Sequence, residues 1–168
     1  MGAEFELSPS LGIAVTMVRV LLAVVLVCAA CGRAQSPPPA AGEETQVVTL
    51  INDRRGAVPC PAVAPDDRLA AAARRHADDM LQHDVRDHTG SDGSTAERRI
   101  TQAGFPASRT GEILYWAQGA GDANEAVVAW MDSAGHRAII QECAFTHVGV
   151  AILRFGGKFV AVADFAAS

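Results

Sequence analysis

Apolar residues recur at helical spacing in the first half of the chain, which predicts two helices there. Residues 46–52 place Val47, Leu50 and Ile51 on one face and predict a short helix that ends near Gly56. Residues 65–84 begin with a proline and two aspartates, which favour a helix N-terminus. The predicted buried stripe of this longer helix consists of Leu69, Ala72, Ala73, His76 and Met80.

Two later helices are predicted from their capping patterns. Residues 94–97 form a capping box with Ser94 as the cap, and they open a helix that ends at Gly104. Residues 122–125 repeat the spacing and open a helix that ends at Gly135. The buried face of this second helix is predicted to consist of Ala123, Val127, Trp130, Met131 and Ala134.

Three apolar runs of strand length follow a different pattern. They span residues 113–116, 148–153 and 159–163, and the last two flank a turn that contains Gly156 and Gly157. Their nearly continuous apolar character predicts strands that are covered on both faces. Because helices are available for both faces, we predict an α+β fold, a three-layer α-β-α sandwich around a small, mostly antiparallel sheet.

Residues 17–31 have the outline of a secretory signal, with Arg19 at the start, a wholly apolar run and small residues before Cys31. A permanent membrane-spanning helix is the less favoured alternative, because such a helix needs about 20 apolar residues. Residues 1–16 carry acidic residues and no basic ones, so Met17 is a plausible true start. We therefore predict that residues 1–31 form a signal region.

The end of this run resembles a bacterial lipobox, Ala-Ala-Cys-Gly at residues 29–32, in which the cysteine is acylated. The sequence departs from that motif at Cys28, where leucine is usual. We predict lipidation at Cys31, with simple cleavage and release as the alternative. Residues 32–44 are rich in proline and alanine and are predicted to form a disordered tether to a domain at residues 45–168.

Charge and cysteine content narrow the function classes. The 168-residue chain has a net charge of −5 and no basic stripe with interleaved aromatics, which argues against a nucleic-acid partner. Two of the four cysteines lie in the signal region, which leaves Cys60 and Cys143. In an exported domain the simplest prediction is a disulfide, worth about 4–5 kcal/mol in the chain-entropy model; two free buried thiols are the alternative.

The five histidines differ in what their surroundings predict. His76 lies on the apolar stripe of its helix and is expected in the core, whereas His83 is expected to face solvent. His147 begins a predicted strand, and either cross-strand packing or exposure accounts for it without a functional role. His88 heads the loop DHTGSDGST, and His136 follows Gly135, where it can point into a cleft or simply cap a helix C-terminus.

Other chemistry-bearing patterns are weaker. Glu112 immediately precedes an apolar strand; it is either exposed, which the sequence alone slightly favours, or specifically hydrogen-bonded. The loop at residues 90–93 lacks the pattern of a phosphate loop or a calcium loop. There is no Gly-x-Ser-x-Gly motif, so Ser133, predicted inside a helix, is a poor nucleophile, and no His-Glu-x-x-His motif is present.

Seven segments in one order resemble the CAP superfamily, the cysteine-rich secretory, antigen 5 and pathogenesis-related proteins, in its bacterial SCP-like branch. They are LINDRR, LAAAARRHADDM, HTGSDGS, RITQAGF, GE, VVAWMDSAGHRAII and FTHVGV. The resemblance covers about residues 46–165 and implies an α-β-α sandwich. A pair placed like Cys60 and Cys143 also fits secreted bacterial members.

The resemblance also implies a cleft that holds two histidines and two glutamates and in several members takes a divalent cation. His88 matches the first histidine of that cleft, and Glu112 matches its first glutamate. The second glutamate corresponds to Ser133 and the last histidine to Ala144 in this sequence. Bacterial members share a Ser-x-x-His arrangement, which implies that His136 reaches the cleft beside Ser133.

Two further departures bear on metal binding, because Ile113 replaces the asparagine of the GEN motif and residues 160–162 replace an aromatic-Thr-Gln sequence. We therefore favour a non-enzymatic module, secreted or attached to the cell envelope, that binds a lipid, glycan or protein ligand. Membrane contact would then occur only through the lipid anchor. The alternative is a divalent-metal-dependent hydrolase or peptidase, with zinc held by His88 and His136 and with Glu112 as general base.

Overall fold

The structure is a computed structural model, and it describes residues 42–168. The predicted signal region, Cys31 and nearly all of the predicted tether lie outside the described residues. The helices are α1 (Glu43–Gly56), α2 (Asp67–His83), α3 (Ala96–Gln102), α4 (Ala123–Asp132) and α5 (Ala134–Ile140). The strands are β1 (Ala64–Pro65), β2 (Arg109–Gln118), β3 (His147–Phe155) and β4 (Lys158–Ala167). Among these helices none is both long and apolar enough to cross a membrane.

The four strands form one sheet in the order β1-β3-β4-β2. β2, β3 and β4 are antiparallel, and the two-residue β1 runs parallel to the start of β3. Gly156 and Gly157 have φ of 58° and 74° at the tip of the β3–β4 hairpin. Two successive positive φ values are those of a type I′ turn, which matches the right-handed twist of the paired strands. The predicted hairpin is confirmed.

Helices cover both faces of the sheet, as the apolar strands predicted. α1, α4 and α5 pack on one face around Trp130, Phe159 and Phe165, all with no measurable exposure. α2 and α3 pack on the other face, where two smaller clusters surround Val162 and Ile100. The α+β three-layer sandwich is therefore confirmed.

The starts of α2 and α3 differ in detail from the prediction. Pro65 lies in β1 rather than in the helix, and Asp66 is the N-cap of α2, with its carboxylate accepting from the backbone N–H of Arg68 at 2.9 Å. The N-cap of α3 is Thr95 rather than Ser94. Ser94 is buried, and its hydroxyl accepts a hydrogen bond from the Arg99 guanidinium at 3.2 Å, so it is not free to cap.

The helix that was predicted to end at Gly135 ends at Asp132, and a second helix begins at Ala134. Ser133, predicted inside a helix, has an extended backbone with ψ of 120° and separates α4 from α5. Gly135 lies within α5, and Ala134, predicted to be buried, is exposed. The prediction placed the helix end at Gly135 because glycine terminates helices more often than serine does. In the structure the chain instead turns at Ser133, and this turn lets Ile140 of the next helix reach the core.

Cys60 and Cys143 form the predicted disulfide, which links the end of α1 to the segment after α5. Beside it, the fully buried Arg55 donates to the carbonyls of Ile140 at 2.7 Å and Phe145 at 3.0 Å. A buried guanidinium needs several acceptors, and these backbone carbonyls supply them. The covalent bond and the arginine therefore hold the same two segments together.

Candidate functional site

Glu112 lies in the middle of the edge strand β2, on the face that α2 and α3 cover, and it is 5% exposed. The slight preference for an exposed residue, drawn from its sequence context alone, was therefore wrong. Both carboxylate oxygens have a partner, because Oε1 lies 2.8 Å from Nδ1 of His88 and Oε2 accepts from Arg99 at 2.7 Å. A buried carboxylate is tolerated when it is paired and hydrogen-bonded, as this one is.

His88 stands at the mouth of this arrangement, with 56% of its side chain exposed. The loop that follows His88 is held from within, since the N–H of Gly90 donates to the carbonyl of Ser94 at 2.9 Å. Asp79 of α2 accepts from the N–H of Ser91 at 2.7 Å and fixes the loop to the helix. The glycines, serines and aspartates therefore form a turn that aims one imidazole at Glu112.

Arg99 of α3 connects the loop to Glu112, and the sequence analysis did not single it out. Its guanidinium donates to the carbonyls of Ser94 at 2.7 Å and His88 at 3.0 Å, besides its bond to Glu112. It is 2% exposed. The sequence did contain a sign of this role, because Arg99 directly precedes Ile100, which was predicted to be buried. An arginine buried there without a partner would be costly, so a carboxylate partner could have been expected.

Two further polar side chains lie behind Glu112. Asp164 of β4 is the direct cross-strand partner of Glu112 and is fully buried, and it too was missed. His76 is in the core, as predicted, with Nε2 2.9 Å from the carbonyl of Asp87 and 3.9 Å from Oε1 of Glu112. Within residues 42–168, neither oxygen of Asp164 nor Nδ1 of His76 has a hydrogen-bond partner.

The surroundings shift the pKa values of these groups in different directions. Burial would raise the pKa of Glu112, but the hydrogen bond from His88 and the charge of Arg99 outweigh it and leave that pKa below its ordinary value. The same bond to Glu112 raises the pKa of His88. Burial, together with the charge of Glu112, raises the pKa of Asp164 well above its ordinary value. The surroundings therefore favour the ionised form of Glu112 and the protonated form of Asp164.

His136 lies in the first turn of α5 and is partly buried, so the alternative of a cap at a helix C-terminus was wrong. Burial, and to a smaller extent the charge of His88, lower the pKa of the His136 imidazole. Ser133 stands at the α4–α5 junction and makes no side-chain cap. The described contacts join His88 to Glu112 and do not join Ser133 to either of them.

The two remaining histidines lie outside this site; His83 is exposed as predicted, whereas His147 packs on a residue that is not in a strand. His83 is exposed, and its Nδ1 lies 2.8 Å from Oδ1 of Asp79. His147 packs against Phe105 with ring centroids 5.4 Å apart, in an edge-to-face arrangement. Neither contributes to the group around Glu112.

A bound metal ion would need several ligands close to His88. Across residues 42–168, no three His, Cys, Asp or Glu side chains are grouped so that they could hold an ion. Nδ1 of His88 is occupied by Glu112, so only Nε2 of that imidazole is free to bind an ion. A divalent cation at this site therefore stays a prediction.

The fold and this site together define a class: a small disulfide-linked α-β-α domain with an exposed histidine oriented by a buried glutamate. The family model described as the cysteine-rich secretory protein family, CAP, matches residues 48–165. The chain therefore belongs to the CAP family, as its motifs implied.

Individual relatives agree with this assignment. The chain is 30% identical over 121 residues to the uncharacterized protein YkwD of Bacillus subtilis, covering 72% of this chain and 46% of that protein. Its fold is similar to that of an extracellular SCP-domain protein from Bacillus anthracis, with 24% identity, a TM-score of 0.66 and coverage of 76% and 41%. It is also similar to an outer surface protein from Borrelia burgdorferi, with 21% identity, a TM-score of 0.70 and coverage of 79% and 98%. The chain thus spans less than half the length of the first two.

Proposed function

We propose that this CAP domain is an exported, envelope-attached binding module that recognises a lipid, glycan or protein ligand at a cleft around His88. The observation that carries the proposal is the hydrogen-bonded series from Arg99 through Glu112 to His88. It runs from a buried guanidinium to an exposed imidazole and so presents one oriented polar group to the outside.

This arrangement favours binding over general-base catalysis by Glu112. A general base must reach the proton that it abstracts directly or through one water. The Glu112 side chain is 2% exposed and both of its oxygens are engaged, so its role here is to orient His88 and to favour the protonated imidazole. Protonated His88 then donates from Nε2 to an acceptor such as a lipid phosphate, a glycan hydroxyl or a peptide carbonyl.

Export and attachment rest on three separate supports. The Cys60–Cys143 disulfide is typical of proteins in oxidising compartments. Two proteins of similar fold are described as extracellular and as an outer surface protein. The signal pattern and the lipobox-like residues before Gly32 supply the route and the anchor at Cys31, with the membrane contacted only through acyl chains. Mass spectrometry of the mature N-terminus tests the anchor.

The second candidate is the metal-dependent hydrolase or peptidase. It is supported by the effect of the charge of His88 on the pKa of the His136 imidazole. These imidazoles would hold zinc, and the ion would supply a Lewis acid. The described residues provide no third ligand group, so we rank this candidate second.

One set of variants separates the two candidates. Purified protein is titrated with muropeptides and with phosphatidylglycerol vesicles, and binding is followed by NMR at His88 and by co-sedimentation. The binding module predicts saturable binding that His88→Ala abolishes and Glu112→Gln weakens. Arg54→Ala, at an exposed position of α1, is the control. Stoichiometric zinc binding, together with zinc-dependent casein cleavage that Glu112→Gln removes, would establish the hydrolase instead.

A further inference from the structure

A trough lies at the edge of the sheet opposite β2, away from the His88 site. Its walls are the N-terminal halves of α1 and α2, and its floor is the outer edge of β3 at Val148, Gly149 and Val150. The hollow has a volume of about 230 Å³, and a second hollow of about 360 Å³ shares Glu44, Asp67, Ala70 and Val150 with it. We refer to the two together as the β3 trough.

The floor of the β3 trough is a sheet edge with free backbone groups. β1 covers only the start of β3, because its pairing ends at Pro65 opposite Val148. The antiparallel register turns the odd-numbered residues of β3 towards β4, so Val150 and Ile152 direct their N–H and C=O groups to the open edge. Within residues 42–168, no backbone or side-chain hydrogen bond reaches these groups.

Val150 lines both hollows of the trough, and Ile152 follows two residues further along the same open edge. Val150 is 6% exposed and Ile152 is fully buried. Buried backbone groups are almost always satisfied, by protein, by water or by a ligand. A concave site with unpaired strand groups on its floor therefore fits an extended chain, which supplies matching donors and acceptors.

The charges around the trough favour a basic occupant. Glu44 of α1 and Asp67 of α2 line both hollows, and among the described residues neither takes part in an ion pair. Asp66 also lines the trough but is paired with Arg68. Arg74 lines one hollow, so carboxylates outnumber cations along the walls.

The length of the trough sets the length of its occupant. The lining residues of α1 run from Glu44 to Asn52, which at 1.5 Å per residue is about 12 Å. An extended chain rises about 3.3 Å per residue, so about four residues fit.

We propose that the β3 trough binds an extended segment of a partner polypeptide. The segment pairs with the free edge at Val150 and Ile152 and places a basic side chain between Glu44 and Asp67. This site is separate from the His88 site, and the proposal does not depend on what binds there.

The test uses a labelled six-residue peptide of alternating valine and lysine, with binding measured by fluorescence anisotropy and by amide hydrogen exchange. We expect saturable binding and slower exchange at the amides of Val150 and Ile152. The Glu44→Gln/Asp67→Asn double variant should weaken binding by about tenfold. The matched control is Glu125→Gln/Asp132→Asn, which removes the same charge from exposed positions of α4 and should leave binding unchanged.

Other outcomes would overturn the proposal. A peptide with glutamate in place of lysine should bind much more weakly, and equal binding would contradict the charge complementarity. A peptide with N-methylated amides on its pairing edge should also bind much more weakly, and equal binding would contradict the strand pairing. Loss of peptide binding in His88→Ala would place the peptide at the other site. Displacement of the peptide by dodecanoate would assign the trough to an acyl chain. Self-association of the protein in sedimentation, with loss of peptide binding as the dimer forms, would assign the trough to a second copy of the chain. Absence of binding at millimolar peptide would refute the proposal directly.

Discussion

Nδ1 of His88 lies 2.8 Å from Oε1 of Glu112, and the carboxylate that holds this exposed imidazole is itself buried against Arg99. The contact joins a loop to an edge strand 24 residues further along the chain. It couples the protonation of His88 to a carboxylate that solvent does not screen. The protonation state of His88 is therefore set by the interior of the domain.

Glu112→Gln should lower the pKa of His88 towards its ordinary value, because the hydrogen bond to the carboxylate is the main cause of the raised pKa. NMR titration of the imidazole measures this directly. Glu97→Gln, at an exposed position, is the control and should leave the titration unchanged. An unchanged His88 titration in Glu112→Gln would remove the basis for the oriented imidazole.

The same interaction predicts a pH dependence of stability. A histidine whose pKa is raised on folding contributes stability that is complete below its unfolded value of about 6.5 and is lost as the pH rises through the folded value. The difference in unfolding free energy between the wild type and His88→Ala should therefore be largest at pH 5.5 and decrease towards pH 8.5. Urea unfolding at the two pH values checks this, and a difference that grows with pH would contradict it.

Asp164→Asn should stabilise the protein at neutral pH. The folded pKa of Asp164 is raised by burial and by Glu112, so its contribution is complete below the unfolded value of about 3.9 and is lost as the pH rises. The amide cannot ionise and does not suffer this loss. Thermal unfolding should show similar midpoints for the wild type and the variant near pH 4 and a higher midpoint for the variant at pH 7. A stabilisation of about 1 kcal/mol would raise the midpoint by roughly 4 °C.

Asp132→Asn is the matched control, since Asp132 is exposed and its replacement should have little effect at either pH. A destabilised Asp164→Asn protein at pH 7 would show that Asp164 is ionised in the folded state. The buried pair with Glu112 would then need a different account.

Arg99→Met should be strongly destabilising, because it leaves the Glu112 carboxylate buried without its cation. Removal of one partner of a buried pair costs about 3–5 kcal/mol. Urea unfolding at pH 7 measures the loss, and faster amide exchange in residues 88–94 should accompany it because Arg99 also holds that loop. Arg98→Met, at an exposed neighbouring position, should change stability by less than about 0.5 kcal/mol.

Gly149→Ala should also be destabilising, because a Cβ at this position would collide with the backbone of α2 at Leu69 and Ala70. Overpacking of this kind costs up to roughly 3 kcal/mol. Gly135→Ala is the contrasting change, since nothing lies within 4 Å of its added Cβ and helical alanine is favoured over glycine by about 0.5–1 kcal/mol. Denaturation midpoints should therefore move in opposite directions, and a tolerated Gly149→Ala would mean that α2 can shift from β3.

The sequence predicted the parts of the fold that depend on local periodicity. The apolar stripe of α2, the hairpin at Gly156 and Gly157, and the apolar strands required little beyond side-chain spacing. It failed at the two-residue β1 and at the helix break at Ser133. Both features exist because of contacts with distant strands and the core, which no local pattern contains.

For the site, the sequence alone marked His88 as unusual and left Glu112 undecided between exposure and a specific bond. The resemblance to CAP domains joined the two residues. The tertiary structure showed which groups complete the cluster, because Arg99 and Asp164 come from α3 and β4 and meet Glu112 only when the sheet and the α2–α3 layer are assembled. The burial of these charges depends on that assembly. The directions in which the pKa values of His88, Glu112 and Asp164 shift are therefore determined by the tertiary structure.

The sequence by itself determined the layered α+β architecture and the pairing of two cysteines, since hydrophobic spacing and cysteine count are local or compositional properties. Only the tertiary structure decided which polar side chains are buried together and which strand edge is left open. The reason is physical: burial and hydrogen-bond partnership depend on segments far apart in the chain.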